Sequence, residues 1–261
     1  IAQAKADIIK ANIEFITDAP TKTFDTVLAN ATFVHPQILT EFIEKITEGI
    51  LPPPSYFFED ARINKTGYDP IDDVIRENTR PLSVEQFNEQ VAAGATILDA
   101  RPADDFEKGY IAGSVNVGLN GQFAVWVGTL IDIKKKLVLI TAPGKENETV
   151  LRLARVGYEN VVGYLQGGID SFRGNIERVR SIHADQIKAE IKKGAMVLDV
   201  RKPGEWKAVH LKEATFLPLD GFPENLKNLD RETPYLIHCG GGYRSMTAIS
   251  IMKLNGFETL I

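Results

Sequence analysis

The chain has 261 residues, which is enough for about two domains of ordinary size, each with its own core. Its formal net charge of −5 disfavours long-range attraction to nucleic acids or to anionic membrane surfaces, so neither is expected as a partner. No apolar run approaches the roughly 18 residues that a membrane-spanning helix needs, no signal peptide is recognisable, and the single cysteine excludes an intramolecular disulfide, so we expect a cytoplasmic protein.

The first 80 residues are predicted to be a helical segment and linker. Helical patterns near residues 3–17 and 38–49 are followed by a Pro-rich run over 51–58 and a polar linker over 64–70. So many breakers in so little chain do not support a large independent domain. We expect residues 1–80 to be the tail of a preceding domain or a helical collar, and the start at Ile1 suggests a fragment.

The rest of the chain contains a repeat with an offset of 100 residues. Residues 94–121 align with residues 194–221 without a gap. Identical residues at matching positions include Leu98 and Leu198, Asp99 and Asp199, and Arg101 and Arg201. Such a match indicates two copies of one domain. We call residues 81–177 repeat 1 and residues 178–261 repeat 2, and we expect repeat 2 to be truncated at its C-terminus.

Each repeat predicts the same order of elements. A helix comes first, and in repeat 1 Ser83 and Gln86 occupy the capping-box positions. Short apolar strands then alternate with helices. The predicted strands are 96–99, 115–117, 137–140 and 161–162 in repeat 1, and 196–199, 215–217, 235–237 and 259–260 in repeat 2. This alternation indicates an α/β fold with a mostly parallel sheet flanked by helices and a site at the carboxyl ends of the strands.

The lone cysteine lies where the third strand of repeat 2 meets a helix. Cys239 is followed by three glycines (240–242), Tyr243 and Arg244, and the helix is predicted to begin at Ser245. Because glycine tolerates positive φ, successive N–H groups can form an anion-binding nest at the positive end of the helix. A thiol there should have a lowered pKa and react as a thiolate. The alternative, a cysteine that only packs, does not require this run of residues.

The pattern Cys-x4-Arg after a buried strand, downstream of Leu198-Asp-Val-Arg201 and Glu205-Trp206, resembles the rhodanese (sulfurtransferase) family. The resemblance covers both repeats and implies two tandem rhodanese-like domains. It implies that Cys239 carries sulfane sulfur as a persulfide from thiosulfate or a small persulfide to a thiol acceptor, without a cofactor on this chain. It also implies that a backbone cradle holds the sulfur and the donor, with the Arg244 side chain as a further anion contact; the cradle consists of Gly240, Gly241, Gly242, Tyr243 and Arg244.

A related branch of this fold, the cell-cycle dual-specificity phosphatases, spaces the same pair as Cys-x5-Arg. The loop here is one residue shorter, which fits a sulfur atom better than a phosphate group. The spacing therefore favours sulfur transfer over dephosphorylation.

Repeat 1 departs from the pattern. Its strand leads to Ala142, which we place at the position of the cysteine, and Pro143 removes an N–H group. We also expect its loop to be shorter than that of repeat 2. Without a nucleophile or a matching arginine, repeat 1 is predicted to be catalytically silent.

The N-terminal segment carries a second resemblance. Its Pro-rich bend and Arg62-Ile-Asn-Lys-Thr-Gly67 are similar to the junction in metallo-β-lactamase-fold proteins fused to tandem rhodanese domains, of the persulfide dioxygenase kind. Such proteins hold iron or zinc with a His-x-His-x-Asp-His motif, and no metal is expected on this chain because none of its histidines has that spacing: His35, His183, His210 and His238. An alternative function follows, in which the repeats are a non-catalytic docking or regulatory module for an attached metal-dependent persulfide dioxygenase or hydrolase.

Several other residues are assigned structural roles. His238 should point away from Cys239 because side chains alternate along a strand, and His210 should make a structural hydrogen bond. Arg201 should form a salt bridge with Glu205 or an aspartate. Four residues at matching positions are assigned to the architecture or the core: Asp99, Asp199, Phe106 and Trp206. The sequence leaves open a homo-oligomer and identifies neither the sulfur donor nor the acceptor.

Overall fold

The computed structural model describes Lys45, residues 56–67 and residues 70–261. The predicted helix over 3–17, most of the one over 38–49, the first part of the Pro-rich run and His35 lie outside the described residues. The chain divides into two compact units, of which the second runs from Pro53 to Ile261 and contains both repeats. Within the described ranges, no helix is both long enough and apolar enough to cross a membrane.

Two helices precede repeat 1, α1 (Phe57–Thr66) and α2 (Ile71–Asn78). The linker predicted over 64–70 is therefore partly wrong, because its first residues complete α1. The buried Asn78 side chain fixes the end of α2 to the sheet of repeat 1, since its Oδ1 accepts a hydrogen bond from the Val161 backbone N–H at 3.0 Å.

Repeat 1 begins with the predicted capping box. Ser83 Oγ accepts from the Gln86 N–H at 3.3 Å, and Gln86 Oε1 accepts from the Ser83 N–H at 3.0 Å. The elements of the repeat are β1 (Pro81–Leu82), α3 (Val84–Ala92), β2 (Thr96–Asp99), α4 (Ala103–Lys108), β3 (Tyr110–Ile111), β4 (Ser114–Asn116), α5 (Phe123–Leu130), β5 (Leu137–Ile140), α6 (Glu146–Ala154), β6 (Val161–Leu165) and β7 (Ile176–Glu177).

The sheet of repeat 1 has five parallel strands in the order β1-β6-β5-β2-β4, and β3 pairs with β7 in a separate antiparallel ribbon. Its central strand β5 is buried at all four positions, as expected for a parallel sheet covered on both faces. The predicted α/β fold with a mostly parallel sheet flanked by helices is confirmed.

Repeat 2 follows the same plan with a shorter first helix. Its elements are α7 (Ile187–Lys192), β8 (Met196–Asp199), α8 (Pro203–Ala208), β9 (Ala214–Phe216), α9 (Phe222–Asn225), β10 (Tyr235–His238) and α10 (Tyr243–Leu254). Three parallel strands follow the order β10-β8-β9. In place of the predicted strand over 259–260, Leu260 forms a single parallel bridge to Tyr235.

The two repeats share a core. One cluster of buried side chains includes residues of both, among them Leu139 and Val117 of repeat 1 and Met252 and Ile249 of repeat 2. Helix α10 lies against β4, the edge strand of the repeat 1 sheet. The buried Ser250 hydroxyl accepts a hydrogen bond from the Asn116 N–H at 2.9 Å, which satisfies a backbone donor that an edge strand leaves unpaired.

Candidate active site

The candidate site lies where strands β8 and β10 end. Asp199 and His238 are the last residues of these strands and pair in register, so Cys239 is the first residue beyond the sheet. The chain then turns through Gly242, whose φ of 83° falls in the left-handed region that favours glycine. It enters the 12-residue helix α10, whose first backbone N–H groups have no partner within the helix.

The partly buried Cys239 thiol is surrounded by hydrogen-bond donors. Its Sγ lies 3.4 Å from the Ser245 backbone N and 3.5 Å from Ser245 Oγ. Burial alone raises the pKa of the thiol, but it is outweighed by hydrogen bonds from the N–H groups of Gly241, Ser245 and Arg244 and by the hydrogen bond between the thiol and the Ser245 hydroxyl. The pKa of Cys239 is consequently lower than the ordinary value.

The predicted cradle is present in a modified form. Of the three glycines in this run, Gly242 is the one that adopts a positive φ. Gly240 and Gly241 are exposed, and Gly241 contributes an N–H to the sulfur. The roles of these residues in binding a substrate stay predictions.

Ser245 belongs to the site and was not predicted. Its backbone and its hydroxyl both contact the sulfur, and the hydroxyl also donates to the Gly242 carbonyl at 3.0 Å. When the thiol ionises, this hydroxyl can turn from the carbonyl to the thiolate. A hydroxyl residue in the first turn of a helix, next to a candidate thiolate, was the signal that could have identified it.

The Arg244 guanidinium is already paired. Its Nη1 and Nη2 lie 2.5 Å and 2.9 Å from the two carboxylate oxygens of Glu205, and it extends over Gly240, where an added Cβ would lie 3.4 Å from Nη2. These hydrogen bonds lower the pKa of Glu205 to about 2. Arg244 would thus meet a substrate anion while paired with Glu205, and its role as an anion contact stays a prediction.

The strand-end pair Asp199 and Arg201 is structural, as predicted. Arg201 makes a bidentate contact to the Asp199 carboxylate and donates to the Val209 carbonyl. In repeat 1, Arg101 makes the equivalent contacts to the Asp99 carboxylate and the Gly109 carbonyl. Glu205, a predicted partner of Arg201, pairs instead with Arg244.

The His238 ring lies against Asp199, a contact that the sequence did not predict. Its Nε2 is 3.5 Å from Asp199 Oδ2, in a geometry too poor for a hydrogen bond, so this buried nitrogen has no hydrogen-bond partner among the described residues. Burial lowers the pKa of His238, although the nearby Asp199 carboxylate opposes this shift.

The assignment of Trp206 to the core is wrong. Phe106 is fully buried and stacks on Tyr110, whereas Trp206 is only partly buried between Phe216 and the exposed His210 ring. The predicted hydrogen bond of His210 is present, from Nδ1 to the Trp206 carbonyl at 2.8 Å.

The corresponding loop of repeat 1 is not shorter than that of repeat 2, and the predicted placement of Ala142 at the position of Cys239 is wrong. Asp99 pairs with Ile140 just as Asp199 pairs with His238, so Thr141, rather than Ala142, occupies the position of Cys239. The positive-φ glycine comes three residues later in both loops, at Gly144 and Gly242. The offset between the repeats changes from 100 at the aspartates to 98 at these loops.

This register equates Pro143 with Gly241 and Glu146 with Arg244. Pro143 lacks the N–H that Gly241 directs at the sulfur. The Glu146 carboxylate accepts hydrogen bonds from the Thr141 hydroxyl and the Gly144 N–H, both at 3.3 Å. In repeat 1, a carboxylate of the chain itself, that of Glu146, therefore occupies the loop where repeat 2 could bind an external anion.

Comparison with known proteins agrees with this geometry. A family model described as "Rhodanese-like domain" matches residues 83–175 and 183–261. The thiosulfate sulfurtransferase GlpE of Pseudomonas entomophila is 30% identical over 81 residues, which cover 31% of this chain and 74% of that protein.

Solved structures give partial matches. A rhodanese-related protein from Thermoplasma volcanium aligns at 30% identity and a TM-score of 0.30, over 32% of this chain and 81% of that one. A metallo-beta-lactamase from Staphylococcus aureus aligns at 20% identity and a TM-score of 0.38, over 48% of this chain and 34% of that one.

Proposed function

This chain belongs to the rhodanese-like family, and we propose that it is a sulfurtransferase that carries sulfane sulfur as a persulfide on Cys239. The observation that supports this most strongly is the set of N–H and O–H donors around the Cys239 sulfur, which lowers its pKa in spite of partial burial. A thiolate is the nucleophilic form of cysteine, and a purely structural cysteine would not need these donors.

In the first step, the Cys239 thiolate attacks the sulfane sulfur of thiosulfate or of a small persulfide. A new S–S bond forms to Cys239, the donor S–S bond breaks, and its electron pair leaves with sulfite or with the donor thiolate. The negative charge moves to the outer sulfur of the Cys239 persulfide. The N–H groups of Gly241, Arg244 and Ser245 face this region and stabilise that charge.

In the second step, an acceptor thiolate attacks the outer sulfur. The bond between the two sulfur atoms of the Cys239 persulfide breaks, the acceptor leaves as a persulfide, and Cys239 returns as a thiolate. These 261 residues contain no second cysteine to accept the sulfur, so the acceptor is either a separate molecule or a thiol outside this sequence. A reducing cytoplasm would supply such thiols and is the location that we propose.

Kinetics test this two-step scheme. With thiosulfate as donor and a small thiol as acceptor, sulfite release should follow ping-pong kinetics, because the donor product leaves before the acceptor reacts. Sulfite release that requires both substrates to be bound together would contradict a persulfide intermediate. A generic aryl phosphate should not be hydrolysed.

The alternative is a docking or regulatory module joined to a metal-dependent persulfide dioxygenase or hydrolase. It is supported by the resemblance of the segment that ends at Gly67, and not by the site. The residues that the structure describes include no group of three or more histidine, cysteine, aspartate or glutamate side chains placed to hold a metal ion. This alternative predicts that Cys239→Ala leaves the activity of the attached enzyme unchanged, whereas removal of residues 80–261 lowers it.

A further inference from the structure

One side chain of the loop that follows Cys239, that of Tyr243, contacts repeat 1. The Tyr243 hydroxyl donates to the Gly118 carbonyl of repeat 1 at 2.7 Å. Its ring lies directly over Gly121, where an added Cβ would come within 2.5 Å of the ring carbon Cε2, and over Gly118, where the corresponding distance is 3.2 Å. Gly118 and Gly121 of repeat 1 therefore leave the space that the Tyr243 ring fills, and we call these two residues the seat of Tyr243.

This seat is itself held in place. The Arg152 guanidinium donates to the carbonyls of Leu119 and Gly121, and it lies 5.6 Å from the centre of the Phe123 ring. The Leu119 N–H donates to the Ala100 carbonyl at 2.9 Å, which ties the seat to the end of β2. The carbonyl that receives the Tyr243 hydroxyl thus belongs to a segment fixed on both sides.

Tyr243 also lies at a sensitive place in its own loop. It follows Gly242, the turn residue, and it precedes Arg244 and Ser245, whose N–H groups reach the Cys239 sulfur. A displacement of Tyr243 would move these two donors. Two helical turns further on, Ser250 holds α10 to β4 through the Asn116 N–H.

We infer that repeat 1 acts as a positioning scaffold, in which the seat formed by Gly118 and Gly121 holds Tyr243 and thereby keeps the N–H donors of the loop directed at Cys239. Tyr243 is then a positioning residue that acts through the backbone of its neighbours. The inference deepens the proposed function, but it concerns the thiol itself, and it can be measured without any sulfur transfer. The competing view is that the contact only holds the two repeats together.

The test is the rate of alkylation of Cys239 by iodoacetamide as a function of pH, which reports one thiol because the chain has one cysteine. Gly121→Ala adds a methyl group that collides with Tyr243, at a backbone position whose φ is not in the left-handed region. We expect the apparent pKa of Cys239 to rise by about one unit, which is about tenfold less thiolate at a pH below the pKa. Tyr243→Phe, which removes only the hydroxyl, should shift it in the same direction by less.

Two controls distinguish a positioning role of Tyr243 from a role that only holds the two repeats together. Tyr158→Phe also removes a buried hydroxyl, one that hydrogen-bonds to the backbone carbonyls of Val127 and Ile131 within repeat 1. This contact does not involve the Cys239 loop. It should lower stability without changing the alkylation profile. In a Tyr243→Ala background, Gly121→Ala should have no further effect on the profile, because the ring with which it collides is gone.

The inference is overturned if Gly121→Ala and Tyr243→Phe lower the unfolding temperature and leave the pKa of Cys239 unchanged. If Gly121→Ala does not fold, Tyr243→Phe decides alone by the same criterion. A wild-type protein with a low thiol pKa and no sulfur transfer would refute the proposed function and leave the positioning role standing.

Discussion

The two repeats have nearly the same backbone frame around their third strand and differ in three residues that decide the chemistry. At equivalent positions, repeat 1 has Thr141, Pro143 and Glu146, where repeat 2 has Cys239, Gly241 and Arg244. In repeat 2 the N–H groups of the loop point at a thiol. In repeat 1 one of them is absent, and another is occupied by the carboxylate of Glu146. The nest is thus a property of the fold, and we expect its reactivity to depend on whether it is left free for an external anion.

The largest expected effect is at the nucleophile. Cys239→Ala should abolish sulfur transfer, because Thr141 is not a nucleophile of comparable strength and its hydroxyl is held by Glu146. Steady-state sulfite release from thiosulfate measures this. The matched change in repeat 1, Thr141→Ala, should leave transfer at the wild-type rate, and residual activity in Cys239→Ala would place a second reactive site on the chain.

A cysteine moved into repeat 1 tests whether the loop, rather than the strand end, makes the thiol acidic. In Thr141→Cys combined with Cys239→Ala, the new thiol lacks the N–H that Pro143 cannot supply, and it faces the Glu146 carboxylate. Its pKa should therefore be higher than that of Cys239 by at least about one unit, which is about tenfold in thiolate.

The pH dependence of alkylation gives this pKa independently of access to the buried position. Adding Pro143→Gly and Glu146→Gln should lower the pKa again, since both changes restore donors to the nest. If the thiol at residue 141 is as acidic as Cys239 without these changes, the loop is not what lowers the pKa of the thiol.

A smaller effect is expected from the hydroxyl in the first turn of α10. Ser245→Ala removes one hydrogen bond to the sulfur and keeps the backbone N–H, so the pKa of Cys239 should rise by a fraction of a unit and the alkylation rate near neutral pH should fall a few-fold. The residue at the equivalent position of repeat 1, Asn147, serves as the control, and Asn147→Ala should change neither quantity.

The smallest effect concerns the ion pair that repeat 1 lacks. The pKa of Glu205 is lowered from 4.5 to about 2, so the pair with Arg244 stabilises the fold above pH 4.5 and this contribution is lost as the pH falls from 4.5 towards 2. Because Glu205 is more than a third exposed, solvent screening keeps the contribution small.

Urea unfolding measures the contribution of the Glu205–Arg244 pair to stability. The difference in midpoint between wild type and Glu205→Gln should be present at pH 7 and should shrink at pH 3. A difference that is the same at both pH values would show that the ionised carboxylate does not contribute. Asp105→Asn, at the matching position of repeat 1, removes an exposed pair with Lys108 and serves as the control.

Much of the frame could be predicted from the sequence, because local patterns encode it. The apolar strands 96–99, 137–140 and 196–199 and the capping box at Ser83 were found within a residue of their observed bounds. The Cys239 loop was recognisable because its residues are contiguous. The repeat offset also correctly paired Asp99 with Asp199.

The parts that could not be predicted depend on distant contacts or on a shift in register. The offset falls from 100 to 98 between the second and third strands, whereas the placement of the cysteine position at Ala142 implies an offset of 97, one residue too far along the chain from Thr141. The pairing of Arg244 with Glu205 and the contact of Tyr243 with Gly118 join residues far apart in sequence. The fold that brings such partners together leaves no periodic signal in either segment.

The central claim, that sulfur is carried on Cys239 alone, is tested most directly by mass spectrometry of the intact protein after incubation with thiosulfate. The account predicts a mass gain of one sulfur atom, located on the peptide that contains Cys239, which disappears when a thiol acceptor is added and does not form in Cys239→Ala. An unchanged mass under these conditions, or the same gain in Cys239→Ala, would contradict it.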